Sequence, residues 1–264
     1  MLAQERIERI LELINDQGFV KVEELAQQFG VSEMTVRRDL EKCRKSGAIV
    51  RLHGGASLKS ENEHEQHYDA KSNTNQQSKR NIANYCAALV REGSTVFLDT
   101  GTTTYQIAER LCRIRDLTIV TNDILIAGML FRRASHTGVR IIVIGGEMQE
   151  GTGSTLGPFA ERMLSEIRVD ISFIGAASID ADFNIMTPTI EKAFLKRLAT
   201  GISGKSYLVA DASKFSRRAM VRINNLSDYT AVVTDKIFTA EEQKGIRKKR
   251  INIISIPTEE ESEQ

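Results

Sequence analysis

Seven short apolar runs in the second part of the chain constrain its fold more than any other feature. They are TVFLD at 95–99, LTIVTN at 117–122, VRIIVIGG at 139–146, ISFIGAA at 171–177, SYLVAD at 206–211, YTAVVTD at 229–235 and INIISI at 251–256. Each is the length of a strand, and helical patterns separate them. Continuous apolar strands alternating with helices predict an α/β domain built on a mostly parallel sheet covered on both faces. In such sheets ligands sit beyond the carboxyl ends of the strands. The 264 residues exceed the ~100 to 150 of a typical single domain, which leaves room for a second, smaller unit.

That unit lies at the N-terminus. Ile7, Ile10, Leu11 and Ile14 repeat at i, i+3, i+4 and i+7, one apolar stripe on a helix ending near Gly18. Val22, Leu25, Ala26 and Phe29 repeat the pattern before Gly30, and Ser32 is placed to cap a third helix whose stripe is Val36, Leu40 and Cys43, ending near Gly47. Ala48 to Leu52 and the residues after His53-Gly54-Gly55 read as two short strands around a glycine turn. Three helices and a hairpin predict a winged helix-turn-helix over 1–58. The polar stretch KSENEHEQHYDAKSNTNQQS then predicts a linker over 59–77, with any order in it expected in its second half. The sheet domain is expected over 78–258, with a disordered acidic tail over 259–264.

The formal net charge of +1 gives no hint of nucleic acid, but its distribution does. Residues 1–33 carry three basic against seven acidic side chains, and residues 34–56 carry six against two, so the ends of this unit differ in sign. On the third helix Val36, Leu40 and Cys43 face inward, and Thr35, Arg38 and Lys42 lie opposite. A helix in a DNA major groove needs short donors near its N-terminus and arginines that reach base edges or phosphates. Ser32, Thr35 and Arg38 are therefore candidates at its reading end. Arg37, Lys42 and Arg51 are candidates for phosphate, His53 for a wing-tip contact, and Asp39 for a partner within the protein. On charge alone an ordinary solvated face remains open.

Metal and disulfide chemistry find little support. Cys43, Cys86 and Cys112 are odd in number and widely spaced, which suits small buried apolar residues; His64 and His67 stand three apart without a second cluster. No apolar run approaches the ~20 residues of a membrane span, and a cytoplasmic protein with no membrane partner is expected.

In FLDTGTTTYQIAERL a strand runs through a hydroxyl-rich turn into a helix. Amides at such a helix N-terminus, with Gly101 and the hydroxyls of Thr102, Thr103 and Thr104, favour an anion such as phosphate; simple capping by the threonines is the plainer alternative. Asn122, Gly146 and the residues around Asp180 and Lys214 follow other strands and are expected at the same sheet edge, with Lys214 toward an anion and Asp99 and Asp180 toward sugar hydroxyls.

RIERILELI followed by SEMTVRRDL resembles the N-terminal signature of the DeoR family of bacterial transcription regulators, with Arg6, Ile10 and Ile14 four apart and Thr35 to Leu40 completing the pattern. RLHGGA at 51–56 is similar to that family's wing. The motifs DTGTTT, TND, GGE, GAASID, TPTIEKAFLKR and ADASKF resemble its effector domain, itself similar to ribose-5-phosphate isomerase, over essentially all of 78–256. The resemblance implies that Gly101 to Thr104 hold the phosphate of a sugar with Lys214 nearby, and that Glu191 stands where the isomerases take their catalytic carboxylate. Ala177 replaces an isomerase aspartate, FNIMTPTIE lacks the isomerase lysine and glycines, and Lys192 replaces a common acid. Half the proton-shuttling apparatus is absent, so binding without turnover is expected.

The leading expectation is a repressor of a sugar or polyol operon whose operator binding responds to a phosphorylated sugar. It would use no other cofactor and work as a dimer or tetramer, because paired half-sites need paired heads. The alternatives are a sugar-phosphate isomerase with an accessory DNA module, and a constitutive DNA-binding protein whose second domain only oligomerises.

Overall fold

The computed structural model describes residues 3–17, 19–45, 49–52, 55–58, 68–72, 74–134, 136–216 and 219–256. Side chains of a few of these, Arg51 among them, are not described. The chain divides into two compact units, Met1–His64 and Glu65–Gln264.

In the first unit, helix α1 (Ala3–Gln17) leads to strand β1 (Phe19–Lys21), helix α2 (Val22–Phe29), helix α3 (Glu33–Lys45), and strands β2 (Ile49–Leu52) and β3 (Gly55–Leu58). The three stripes expected from periodicity meet in one core, where Ile10, Ile14, Val22, Leu25, Val36, Leu40 and Cys43 are buried; Ile7, Leu11, Ala26 and Phe29 are packed at its margin. Gly30 closes α2, and its amide returns to Gln27 O. The short Phe19 segment is a third strand of the wing sheet, whose order is β1-β3-β2 and whose pairings are antiparallel. The winged helix-turn-helix is thus present. The turn at His53-Gly54, and the helix ends at Gly18 and Gly47, lie outside the described residues.

The second unit begins inside the expected linker. Helices α4 (Tyr68–Ser72) and α5 (Gln76–Ala88) precede strand β4 (Thr95–Leu98), helix α6 (Thr102–Leu111), strand β5 (Thr118–Thr121), helix α7 (Ile124–Arg133) and strand β6 (Arg140–Val143). A small hairpin of β7 (Glu147–Met148) and β8 (Thr155–Leu156) and helix α8 (Pro158–Ser165) lead to β9 (Val169–Gly175). Strands β10 (Ser178–Ile179) and β11 (Asn184–Thr187), helix α9 (Ile190–Gly201), strands β12 (Ser203–Val209), β13 (Val221–Asn225) and β14 (Ala231–Thr234), helix α10 (Ala240–Lys248) and β15 (Ile253–Ser255) complete it.

All seven apolar runs pair in one parallel sheet of order β15-β14-β12-β9-β4-β5-β6. Alternation along β4 shows why the runs are apolar throughout. Val96 and Leu98 join a cluster with Ile82, Ile107, Leu111 and Ile126 from α5, α6 and α7, whereas Phe97 joins the opposite cluster with Leu164 and Leu195 from α8 and α9. The three cysteines are buried, as their spacing suggested. The antiparallel sheet β10-β11-β13 had no counterpart among the expected strands.

Candidate effector cleft and DNA-facing helix

On α3, Ser32 caps the first turn: Thr35 N donates to Ser32 Oγ at 3.2 Å, and the two hydroxyls lie 2.9 Å apart. Asp39 is buried and accepts from Arg6 Nε at 2.6 Å, so the acid that would repel DNA is turned inward and ties α3 to α1. Arg38 and Lys42 are exposed, and Thr35 is half-buried. Arg37 is exposed but takes Glu33 at 3.1 Å, while Arg44 takes Glu41. The side chain of Arg51 and the whole of His53 lie outside the described residues.

In the second unit the sheet edge opens into a cleft. Its walls include Gly101 to Thr104, Lys71, Thr187, Lys192, Lys196 and Lys214. Gly101 caps α6 at φ 147°, a region that disfavours a side chain, and the amides that follow it form the open helix N-terminus. Asp123 props this turn. One of its oxygens accepts from Thr100 Oγ1 at 3.0 Å and Gly101 N at 3.2 Å, and the other caps α7 through Leu125 N and Ile126 N. Burial raises the Asp123 carboxyl above its ordinary pKa, against the hydrogen bonds from Ile126, Thr100, Leu125 and Gly101.

Four lysines reach the cleft from three segments. Lys71 comes from α4, Lys192 and Lys196 stand one turn apart on α9, and Lys214 follows β12. Lys196 is buried, makes an ion pair with Asp99 and donates to Gly175 O at 2.9 Å. Burial pushes the Lys192 ammonium down to about 7, and Lys196 adds repulsion. Buried Lys79 donates to Thr74 O at 2.7 Å and to Lys71 O; burial pushes it down to about 8, with Asp211 opposing and Lys214 and Lys71 adding repulsion. The cleft therefore gathers four lysine side chains, one of them paired with Asp99.

Several expected residues stand elsewhere. Asp99 does not line the cleft; it is consumed by Lys196 and by Gly175 N at 2.9 Å. Asp180 closes the turn between β10 and β11 by accepting from Asp182 N at 2.9 Å and Asn184 N at 2.8 Å. Asn122 is buried against Thr155, away from the cleft wall. Gly146, at φ 148°, is required by close packing, since a Cβ there would collide with Leu156 O. Glu191 is exposed on the first turn of α9, and its neighbour Lys192 takes the place on the wall. Thr104 lines the cleft but gives its hydroxyl proton to Gly101 O at 2.8 Å. Gly101, Thr102, Thr103 and Lys214 are brought together as expected.

Sequence reasoning missed Lys71, Lys192, Lys196, Thr187 and Asp123. Lys192 and Lys196 carried a readable signal, being polar residues at i, i+4 that share the buried side of α9 with Ala199. Lys71 carried none, because it sits in a run of polar residues.

A helix-turn-helix unit joined to an α/β unit with a cationic cleft defines a DNA-binding regulator with a sensor domain, and sequence comparison agrees. Residues 6–62 match the DeoR-like helix-turn-helix domain and residues 74–236 match the DeoR C terminal sensor domain, so the chain belongs to the DeoR family of transcription regulators. It is 36% identical to the glycerol-3-phosphate regulon repressor of Escherichia coli (strain K12) over 89% of this chain and 92% of that one. It is 32% identical to the lactose phosphotransferase system repressor of Streptococcus mutans serotype c over 89% and 93%. The relatives are regulators, which sets aside the isomerase alternative. A ribose-5-phosphate isomerase solved with phospho-erythronic acid is a weaker likeness, at 18% identity, 53% and 54% coverage and a TM-score of 0.37, too distant to carry an argument.

Proposed function

We propose that this DeoR-family regulator is a cytoplasmic repressor of a sugar or polyol utilisation operon, and that a phosphorylated sugar or polyol seated in the cleft modulates its operator binding. The observation that carries the reading is the convergence of the α6 N-terminus, Thr102 and Thr103 with Lys71, Lys192 and Lys214. Helix-terminal amides and ammonium groups around one small space are the arrangement a phosphate needs. The relatives' names, a glycerol-3-phosphate regulon repressor and a lactose phosphotransferase system repressor, support the same ligand class.

On the DNA side, Thr35 and Arg38 read base edges, Ser32 fixes the start of α3, and Arg37, Lys42 and Arg51 hold phosphates, with His53 at the wing. Support comes from the outward placement of Arg38 and Lys42 and the inward placement of Asp39. The chain acts as a homo-oligomer, since paired operator half-sites require paired heads.

A ligand that binds only the folded state raises its melting temperature by an amount set by affinity. A thermal-shift screen across phosphorylated pentoses, hexoses, polyols and glycerol phosphate is expected to show one class that stabilises the chain, and Lys214→Ala to weaken that response. No shift with any of them would leave the second unit as a scaffold for oligomerisation and refute the reading.

A further inference from the structure

The short helix α4 is the first described element of the second unit. Four contacts seat it and the turn that follows on the sensor body. Tyr68 N donates to Gly151 O at 2.8 Å, and the Tyr68 ring meets Tyr105 of α6 edge-on with centroids 6.0 Å apart. The buried Lys79 ammonium binds the carbonyls of Lys71 and Thr74 at the end of α4. Asn75, in the following turn, donates to Asp211 Oδ1 at 2.9 Å.

So seated, α4 delivers Lys71 to the cleft wall, together with the α6 N-terminus and Lys214. No motif of the sensor domain accounts for this residue, which precedes the matched span 74–236. The same helix rests on α6 through Tyr105, four residues after Gly101 in the turn that begins the anion site.

We infer that Lys71 is a binding residue for the anionic group of the effector, and that effector binding fastens α4, the first helix of the sensor unit, onto the rest of that unit. The inference rests on the proposed function and adds to it the sensor-unit segment that a bound effector holds in place. An anion among Lys71, Lys192 and Lys214 relieves the repulsion of gathered ammonium groups, and part of that relief is gained only when α4 is in place. A ligand that prefers the seated helix must by reciprocity stabilise it.

The full-length chain, wild type and with Lys71→Ala or Lys71→Arg, is titrated with inorganic phosphate and with glycerol 3-phosphate, read by calorimetry. Lys71→Ala is expected to weaken binding about tenfold, the loss of one charge-assisted hydrogen bond, while Lys71→Arg retains most of the affinity. Unliganded melting temperatures establish that the variants fold. In parallel, chymotrypsin cleavage after Tyr68 is followed in time. Either probe is expected to slow it severalfold in the wild type and to leave it unchanged in Lys71→Ala.

If the wild type binds a probe and Lys71→Ala binds it equally well, or if cleavage after Tyr68 ignores a bound probe, this inference fails while the proposed function stands. If the wild type binds neither these probes nor any phosphorylated compound of the wider screen, both fail together.

Discussion

The winged-helix unit buries one ion pair, Arg6 with Asp39, and holds Arg38 and Lys42 outward, whereas the sensor unit buries the Lys196–Asp99 pair and places a second buried lysine, Lys192, one turn away. Both units carry positive charge, but they store it differently. An outward surplus on a helix face suits an extended polyanion that meets the protein at its surface, where salt screens the attraction. An inward surplus suits a small anion that can enter, because it is there that burial makes each charge count. The difference supports the proposed assignment of DNA to one unit and a phosphorylated small molecule to the other.

The comparison breaks most visibly at its buried pairs. Asp39→Ala leaves Arg6 buried without its partner and is expected to cost about 3–5 kcal/mol, with much of the loss recovered by making Arg6→Met and Asp39→Leu together. Urea unfolding monitored separately in the two units is the check. The winged helix should lose stability and operator binding while the sensor unit keeps its thermal response to ligand. Loss of both responses at once would mean that the units do not store their charges independently.

Next in size is Arg38→Ala, expected to weaken operator binding by about 1–3 kcal/mol and to relax sequence preference. Fluorescence anisotropy on operator and random duplexes separates the cases, since equal losses on both would make Arg38 a phosphate contact only.

Lys192 sharpens the sensor side through pH. Burial holds its pKa at about 7, down from the usual 10.5. Between those values the unfolded chain binds a proton that the folded unit does not, so unliganded stability rises with pH across that window and levels off above it. A bound anion favours the protonated lysine, so ligand affinity moves the other way, falling as pH climbs through about 7 by at most about tenfold per pH unit. Lys192→Met should flatten both dependences. Affinity that is level over this range in the wild type would place Lys192 out of reach of the anion.

The smallest effect belongs to Lys42→Ala, expected to reduce the salt dependence of DNA binding by about one unit of slope with little change in sequence preference. An unchanged slope would remove Lys42 from the interface.

The two units also differed in how far their residues could be read from the sequence. In the first, the proposed function lies on one face of one helix, so the 3.6-residue period that buries Val36 and Leu40 also sorts Arg38 outward and Asp39 inward. In the second, the seven strands were legible from their apolar runs, and the loop at Gly101 from its strand–turn–helix setting. The rest of the cleft was assembled by topology. Lys71, Lys192 and Lys214 come together only because the parallel order β12-β9-β4 brings distant segments to one sheet edge. Proximity to a strand end also misled: Asp99 and Asp180 both follow strands, yet their carboxylates are engaged in hydrogen bonds or an ion pair that hold the fold.

The central claim is that occupancy of the inward site changes what the outward site does. It is tested by measuring operator affinity of the full-length chain with and without a saturating amount of the sugar or polyol phosphate that stabilises it, beside a Lys214→Ala control. The account expects affinity to shift about 5- to 150-fold in the wild type, the range of an ordinary allosteric coupling, and to stay nearly constant in the control at the same ligand concentration. Operator affinity unchanged in the wild type, with the ligand demonstrably bound, would contradict it.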